Sequence, residues 1–379
     1  MLRFSTFGPH ISSIDMKYVK DAMKQKSWYQ NPYKYCEKLE KDFAKYHNRK
    51  YAIMTPNCTS AIHLFLFSLN LRKKDEIIAP ESTWIASVSS VLLTKAKLVL
   101  CDVDYNTWCI SINEIIKKIN KNTKVIIAVN LFGNSPDYKK LEAICKKNKI
   151  FLIEDAAESL GSVFNKKKSG KFGDVSVFSF HRTKTITTGE GGMMITDSKK
   201  IYLNCKLLRD HGRGPKTKDL FNDEFAVKYM PFNLQAALGY SQFKKIKLLI
   251  KIKRSIFFEY KKNLKEVSNL IQFNQNDKHI LNGCWATVIV LKQKNNKTIK
   301  KIMNKLNKKG FFPRPFFYPI SSLPAVKNFK DKSRIIFGKC ENAKNLSKYG
   351  IVLPSSYLLK KKDVKEICKV LKGELIRYV

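Results

Sequence analysis

Residues 178–192 read Phe178-Ser179-Phe180-His181-Arg182-Thr183-Lys184-Thr185-Ile186-Thr187-Thr188-Gly189-Glu190-Gly191-Gly192. The stretch sets one lysine between an apolar strand pattern and a glycine-rich turn. Upstream, Ile153-Glu154-Asp155-Ala156-Ala157-Glu158-Ser159 closes another apolar run with an acidic residue. An amine that can form an imine and a carboxylate that can pair with a pyridinium nitrogen are what pyridoxal phosphate (PLP) requires of a protein.

A lysine that follows an apolar strand is ordinarily a solvated charge. The flanks of Lys184 alter that balance, because Ser179 lies in the strand before it and Gly189, Gly191 and Gly192 permit tight backbone geometry after it. The amine can exchange an imine between cofactor and substrate. Once free, it lies beside the substrate α-carbon and can carry the proton of a 1,3-shift.

Asp155 ends the run Ile150-Phe151-Leu152-Ile153, which places it at the carboxyl edge of a sheet, where open α/β folds bind ligands. The alternative for Asp155 is a helix N-cap before Ala156-Ala157-Glu158. Asn57-Cys58-Thr59-Ser60-Ala61-Ile62 puts small polar residues at the start of an apolar helix, a natural phosphate seat at the cofactor end, although a plain Ser/Thr cap is the commoner use. Ser179 can add a hydroxyl to the same phosphate. Trp84 is either a ring that stacks on the pyridine or a core tryptophan.

The surrounding pattern is that of an α/β protein. Amphipathic spacing predicts a helix over Tyr33 to Tyr46, and an apolar run predicts a buried helix over Thr59 to Leu71. Strands are predicted at 76–79, 97–100, 124–129, 150–153, 175–180 and 192–196. Helical patterns at 82–94, 112–119 and 137–147 lie between them, which indicates a mainly parallel sheet covered on both faces. After about Gln242 a basic helical stretch, 243–267, leads into a smaller α+β domain. Its predicted strands are 286–291 and 310–312, and its predicted helices are 297–308 and 362–371. The expected division is a large domain over residues 1–245 and a small one over 246–379, packed closely together.

Composition bounds the function classes. The 379 residues suffice for two domains, and 44% apolar residues fit an ordinary globular protein. No stretch approaches the length of a membrane span, and the N-terminus shows no signal-peptide pattern, so the expectation is cytoplasmic with no membrane partner. The nine cysteines are scattered singly, which argues against a zinc site and against a disulfide framework. The net charge of +41 comes mainly from lysines spread over the whole length. A nucleic-acid-binding or regulatory protein is one reading of that charge. It is disfavoured, because no helix-turn-helix or zinc pattern accompanies the lysines.

Taken together, residues 153–161, 178–184, 187–193, 208–213 and 233–239 resemble the sugar aminotransferases of the DegT/DnrJ/EryC1/StrS family. The likeness runs from Phe7-Gly8-Pro9 to Ile351-Val352-Leu353-Pro354. It implies the PLP-dependent transferase type I (aspartate aminotransferase-like) fold and a homodimer with active sites at the interface. It also implies glutamate as amino donor and a 4-keto-6-deoxy nucleotide sugar as acceptor. By position, Lys184 is the Schiff-base lysine, Asp155 the pyridinium partner and Trp84 the stacking residue. Thr59, Ser60 and Ser179 fall at phosphate positions, and Glu158 at a cofactor-proximal one. The segment Arg314-Pro315-Phe316-Phe317-Tyr318-Pro319 resembles the part that lines the sugar-nucleotide side, so Arg314 and Tyr318 join Trp28 and His181 as substrate-binding candidates. The chain departs from the family pattern at Cys58, where many relatives have Gly. It departs again at Lys228-Tyr229-Met230-Pro231, where many read Asn-Tyr-Arg-Met. In the family that Asn reaches the cofactor phosphate of the partner subunit, and Lys228 can do so as a point charge. Some relatives are sugar dehydratases with His at the lysine position. Lys184 argues against that chemistry here.

Overall fold

The computed structural model describes residues 7–214, 221–292 and 296–377. Its centre is an eight-stranded sheet. Across it the strands run Tyr51–Thr55, Gly192–Thr196, Val175–Ser179, Phe151–Asp155, Thr123–Val129, Glu76–Pro80, Lys97–Cys101 and Ile335–Ile336. Gly192–Thr196 runs antiparallel to both of its neighbours, and the other pairs are parallel. Strands covered on both faces read as continuous apolar runs, which is why 76–80 and 192–196 are buried from end to end.

Successive residues nonetheless serve opposite faces. Ile77, Ala79, Leu98, Leu100, Val125 and Ile127 join one core cluster, while Ile78, Val99, Ile126 and Ala128 join another. A third cluster gathers Met54, Phe178, Met193 and Ile195 under the helix Lys34–Tyr46. That helix buries Leu39 and Phe43 completely, and Phe43 meets Phe178 at 4.9 Å and Phe180 at 5.5 Å between ring centroids. Burial of such a ring stabilises by about 1.5–3 kcal/mol.

The helix expected over 82–94 is shorter, Ala86–Leu92, because residues 81–84 form a buried-to-exposed loop at the strand's carboxyl end. The basic helical stretch expected over 243–267 is the helix Ile246–Asn263 with a short 3-10 turn, Lys265–Val267, after it, while residues 243–244 close the preceding helix Asn233–Lys244. A second, antiparallel sheet has the order Ile271–Phe273, Thr287–Leu291, Gly350–Leu353, Arg314–Pro315. The strand expected at 310–312 is displaced to Arg314–Pro315. Gly310 instead takes a left-handed turn, φ 79°, at the end of the helix Asn296–Lys308.

Several links tie the C-terminal part to the large sheet, two of them at its outer strands. Ile335–Ile336 pairs in parallel with Leu98 and Val99. Asp102, just beyond the strand Lys97–Cys101, accepts the backbone N–H groups of Asn342 and Ala343 at 3.0 Å each. It thereby caps the helix Glu341–Tyr349 from another part of the chain. Among the described residues, no helix is long and apolar enough to cross a membrane.

Candidate active site

The carboxyl ends of the parallel strands open onto a cavity of about 260 Å³. Lys184, Asp155, Glu158, Thr59, Trp84, Ser179, His181 and Arg314 all line it, although they come from widely separated parts of the sequence.

Asp155 is the last residue of its strand, in register with Val129 and Val177. No helix follows it; the chain turns instead, which brings Glu158 back to the cavity. Asp155 Oδ2 accepts the Ser87 hydroxyl at 2.7 Å, and Oδ1 accepts the Ala157 N–H at 3.1 Å. Burial pushes its pKa up, against these two bonds and the charge of Lys184. Glu158 is also raised by burial, opposed first by Lys184. Its Oε2 accepts the Phe132 N–H at 3.0 Å, and its Oε1 lies 3.3 Å from Lys184 Nζ.

Lys184 sits in a loop closed at its base by Thr188 N–H donating to the Phe180 carbonyl at 2.9 Å, and its own N–H donates to the His181 carbonyl at 2.8 Å. Its ammonium stands 3.9 Å from the ring centre of Trp285. His181 Nδ1 lies 2.8 Å from the Thr183 hydroxyl, and its Nε2 lies 3.5 Å from Glu190. Burial lowers the His181 pKa, with Glu190 acting against it.

The helix Cys58–Ser68 points its N-terminus at the cavity, and Asn57, Cys58 and Thr59 line the wall there. The Asn57 side chain caps the helix by accepting the Ser60 N–H at 2.8 Å, so Ser60 is buried behind the lining. Gly192 makes this packing possible. A Cβ at that position would stand 2.4 Å from the Asn57 carbonyl and 2.6 Å from Cys58 N.

Trp84 is 61% exposed at the mouth, tilted against Phe317 at 6.2 Å, so it is not a core tryptophan. Arg314 lies with its guanidinium 5.2 Å from the ring centre of Phe7. Four expected site residues stand outside the lining, Ser60 behind it and three more at or near the surface. Trp28 and Tyr318 are exposed, and the Lys228 amine is bonded to the Asp210 carboxylate on the surface. Conversely, Ser87 and Trp285 line the cavity and were not among the expected residues, while Phe317 lines it from within the segment 314–319. No local pattern marks Ser87 or Trp285, because each arrives from an element whose place is fixed only by tertiary packing. Among the described residues, no group of three His, Cys, Asp or Glu side chains could hold a metal ion.

Residues 9–372 match the model of the DegT/DnrJ/EryC1/StrS aminotransferase family. The chain belongs to this family. It is 33% identical over 367 residues to a GDP-perosamine synthase of Vibrio cholerae, covering 97% of this chain and 98% of that protein. A GDP-perosamine synthase of Escherichia coli O157:H7 is also 33% identical, with 96% of each chain covered. Among solved structures, PseC of Helicobacter pylori, an aminotransferase involved in the biosynthesis of pseudoaminic acid, superposes with a TM-score of 0.87 at 24% identity over 99% of both chains. The PLP-form structure of Spr1654 from Streptococcus pneumoniae gives 0.88 at 22% identity over 98% of both chains. The fold of this family member is therefore the type I transferase fold that the sequence resemblance implies.

Proposed function

We propose that the chain is a PLP-dependent aminotransferase that moves an amino group from glutamate to a keto nucleotide sugar, at C4 of a 4-keto-6-deoxyhexose carried on GDP. The carrying observation is the convergence of the Lys184 amine and two buried carboxylates, Asp155 and Glu158, on one cavity. The nucleotide and the position of amination are supported by the names of the relatives that are 33% identical over nearly the whole chain.

The residues fit the cofactor. The hydrogen bonds that Asp155 accepts come from neutral donors only, a hydroxyl and a backbone N–H, and it is raised by burial. A pyridinium N–H would supply the positive charge that such a carboxylate lacks. The start of the helix at Cys58 and Thr59, with the hydroxyl of Ser179, would hold the phosphate, with Ser60 behind it. Trp84 would cover the ring, and Glu158 would lie on the lysine side. When bound, PLP supplies a carbonyl that takes up amines and a ring that accepts electron density.

The chain's own residues do the rest. Lys184 Nζ takes a proton from the α-carbon of glutamate and returns one to the sugar carbon. Glu158 Oε1 receives the amine between these events and keeps it in the cavity. Arg314 and His181 hold the anionic substrate at the mouth, and Trp28 and Tyr318 belong to its outer part. The protein acts in the cytoplasm as a homodimer, in which Lys228 reaches the cofactor phosphate of the neighbouring site.

The test is incubation with PLP, glutamate and a panel of GDP-, dTDP- and UDP-linked 4-keto-6-deoxy and 3-keto sugars, with products identified by mass and NMR. A GDP-linked 4-amino-6-deoxy sugar is expected. A deoxygenated product, or no glutamate-dependent product, would overturn the reading.

A further inference from the structure

The carbonyl groups on either side of Lys184 are both held by aromatic side chains from the C-terminal part of the chain. Trp285 Nε1–H donates to the Thr183 carbonyl at 2.7 Å, and the Tyr357 hydroxyl donates to the Thr185 carbonyl at 2.7 Å. Both acceptors belong to buried residues, so an unfilled carbonyl there would be costly. Trp285 also presents its ring face to the Lys184 ammonium at 3.9 Å. It thus engages the lysine segment twice, at the backbone before the lysine and at the amine.

Both donors are themselves braced. Trp285 is stacked on Phe7 at 4.5 Å with an interplanar angle of 8°, and Phe132 lies nearly parallel to it at 6.1 Å. Tyr357 lies against the buried Lys253, whose amine is 4.5 Å from the ring centre and donates to the Ser355 carbonyl at 2.6 Å. The donors are therefore fixed points for the lysine loop.

We propose that Trp285 and Tyr357 are positioning residues for the reaction. They clamp the backbone of Thr183 and Thr185, so that only the side chain of Lys184 moves as it carries its proton, with the Trp285 face as the resting place of the ammonium. The inference builds on the reading of Lys184 as the reactive amine. Its energetic logic is that a displacement of about 1 Å at a reacting group costs about 100-fold in rate.

The experiment uses Trp285→Phe, which keeps an aromatic face but has no N–H, and Tyr357→Phe, which loses one hydroxyl. Three quantities are read. Hydrogen exchange of the backbone amides of residues 181–188 is followed in the cofactor-free protein. Steady-state kcat and KM for glutamate are measured in the loaded enzyme. Borohydride trapping of PLP, followed by peptide mapping, locates the reactive amine. In both variants exchange of this segment accelerates and kcat falls about 10- to 100-fold, while KM changes less than about twofold and the trapped label stays on Lys184. Unchanged exchange together with unchanged kcat, with the label still on Lys184, overturns the clamp and leaves the function intact. A label found elsewhere overturns both. If Trp285→Phe fails to fold, Tyr357→Phe decides alone, since it removes a single oxygen.

Discussion

The Ser87 hydroxyl donates to Asp155 Oδ2 at 2.7 Å, so a side chain on the helix Ala86–Leu92 fixes a carboxylate at the end of the neighbouring strand system. This bond and the Ala157 N–H leave the carboxylate one orientation in the cavity.

Asp155→Asn is therefore expected to keep the shape and lose the charge. The fall in kcat should be about 100-fold or more, with the thermal midpoint held within a few degrees. Ser87→Ala strips one donor from a buried acceptor, at about 1–3 kcal/mol, and should give a smaller loss. Steady-state kinetics and thermal melts of the two variants check this order, and a Ser87→Ala loss exceeding that of Asp155→Asn would refute it.

Glu158 is expected to govern the acid side of the pH profile. Burial raises its carboxyl above the ordinary range, so it takes up a proton at a higher pH than a surface glutamate. Its pairing with Lys184 is intact above that raised pKa and lost as pH falls through it. The expected outcome is a decline in kcat/KM that begins above the usual glutamate range. Glu158→Gln should shift or abolish that limb. An unchanged acid limb in the variant counts against the assignment.

Gly192→Ala tests the packing behind the helix N-terminus. The added methyl meets backbone atoms of Asn57 and Cys58, which cannot swing aside. Overpacking of this kind costs about 1–3 kcal/mol, and the displaced helix start should weaken binding of PLP. Equilibrium dialysis of the cofactor and urea unfolding measure the two effects. Wild-type cofactor affinity in the variant would show that the helix start is not part of the phosphate seat.

Lys253 gives a prediction for stability. Burial pushes its pKa down to about 7, whereas in an unfolded chain the amine titrates near about 10.4. Between these values the unfolded chain binds more protons, so this group makes stability rise with pH, by at most about 1.4 kcal/mol per pH unit. Relative to Lys253→Met, the wild-type urea midpoint should climb from about pH 7 to about pH 8.5. Parallel midpoints for the two proteins would remove the basis for this expectation.

The parallel core was legible because strands covered on both faces must be apolar throughout, and short β-branched runs such as Val125-Ile126-Ile127-Ala128 favour a strand over a buried helix. Lys184, Asp155 and Glu158 were legible as candidate positions because each follows a strand pattern, and the structure brings all three to one cavity. What stayed hidden has a physical reason in each case. Ile335–Ile336 is two residues long and is a strand only because Leu98 and Val99 lie beside it. Trp285 sits in a short segment before the strand Thr287–Leu291, and its bearing on Lys184 exists only after residues 183 and 285 are brought together by the fold.

The short strand Ile335–Ile336 also bears on how the protein can be divided. A fragment ending at residue 245 would leave Lys97–Cys101 as a bare apolar margin with open backbone groups, a template for self-association. It would also leave Asp102 without the helix it caps. Separate expression of the N-terminal portion should therefore yield aggregates, and co-expression of the two pieces should restore solubility.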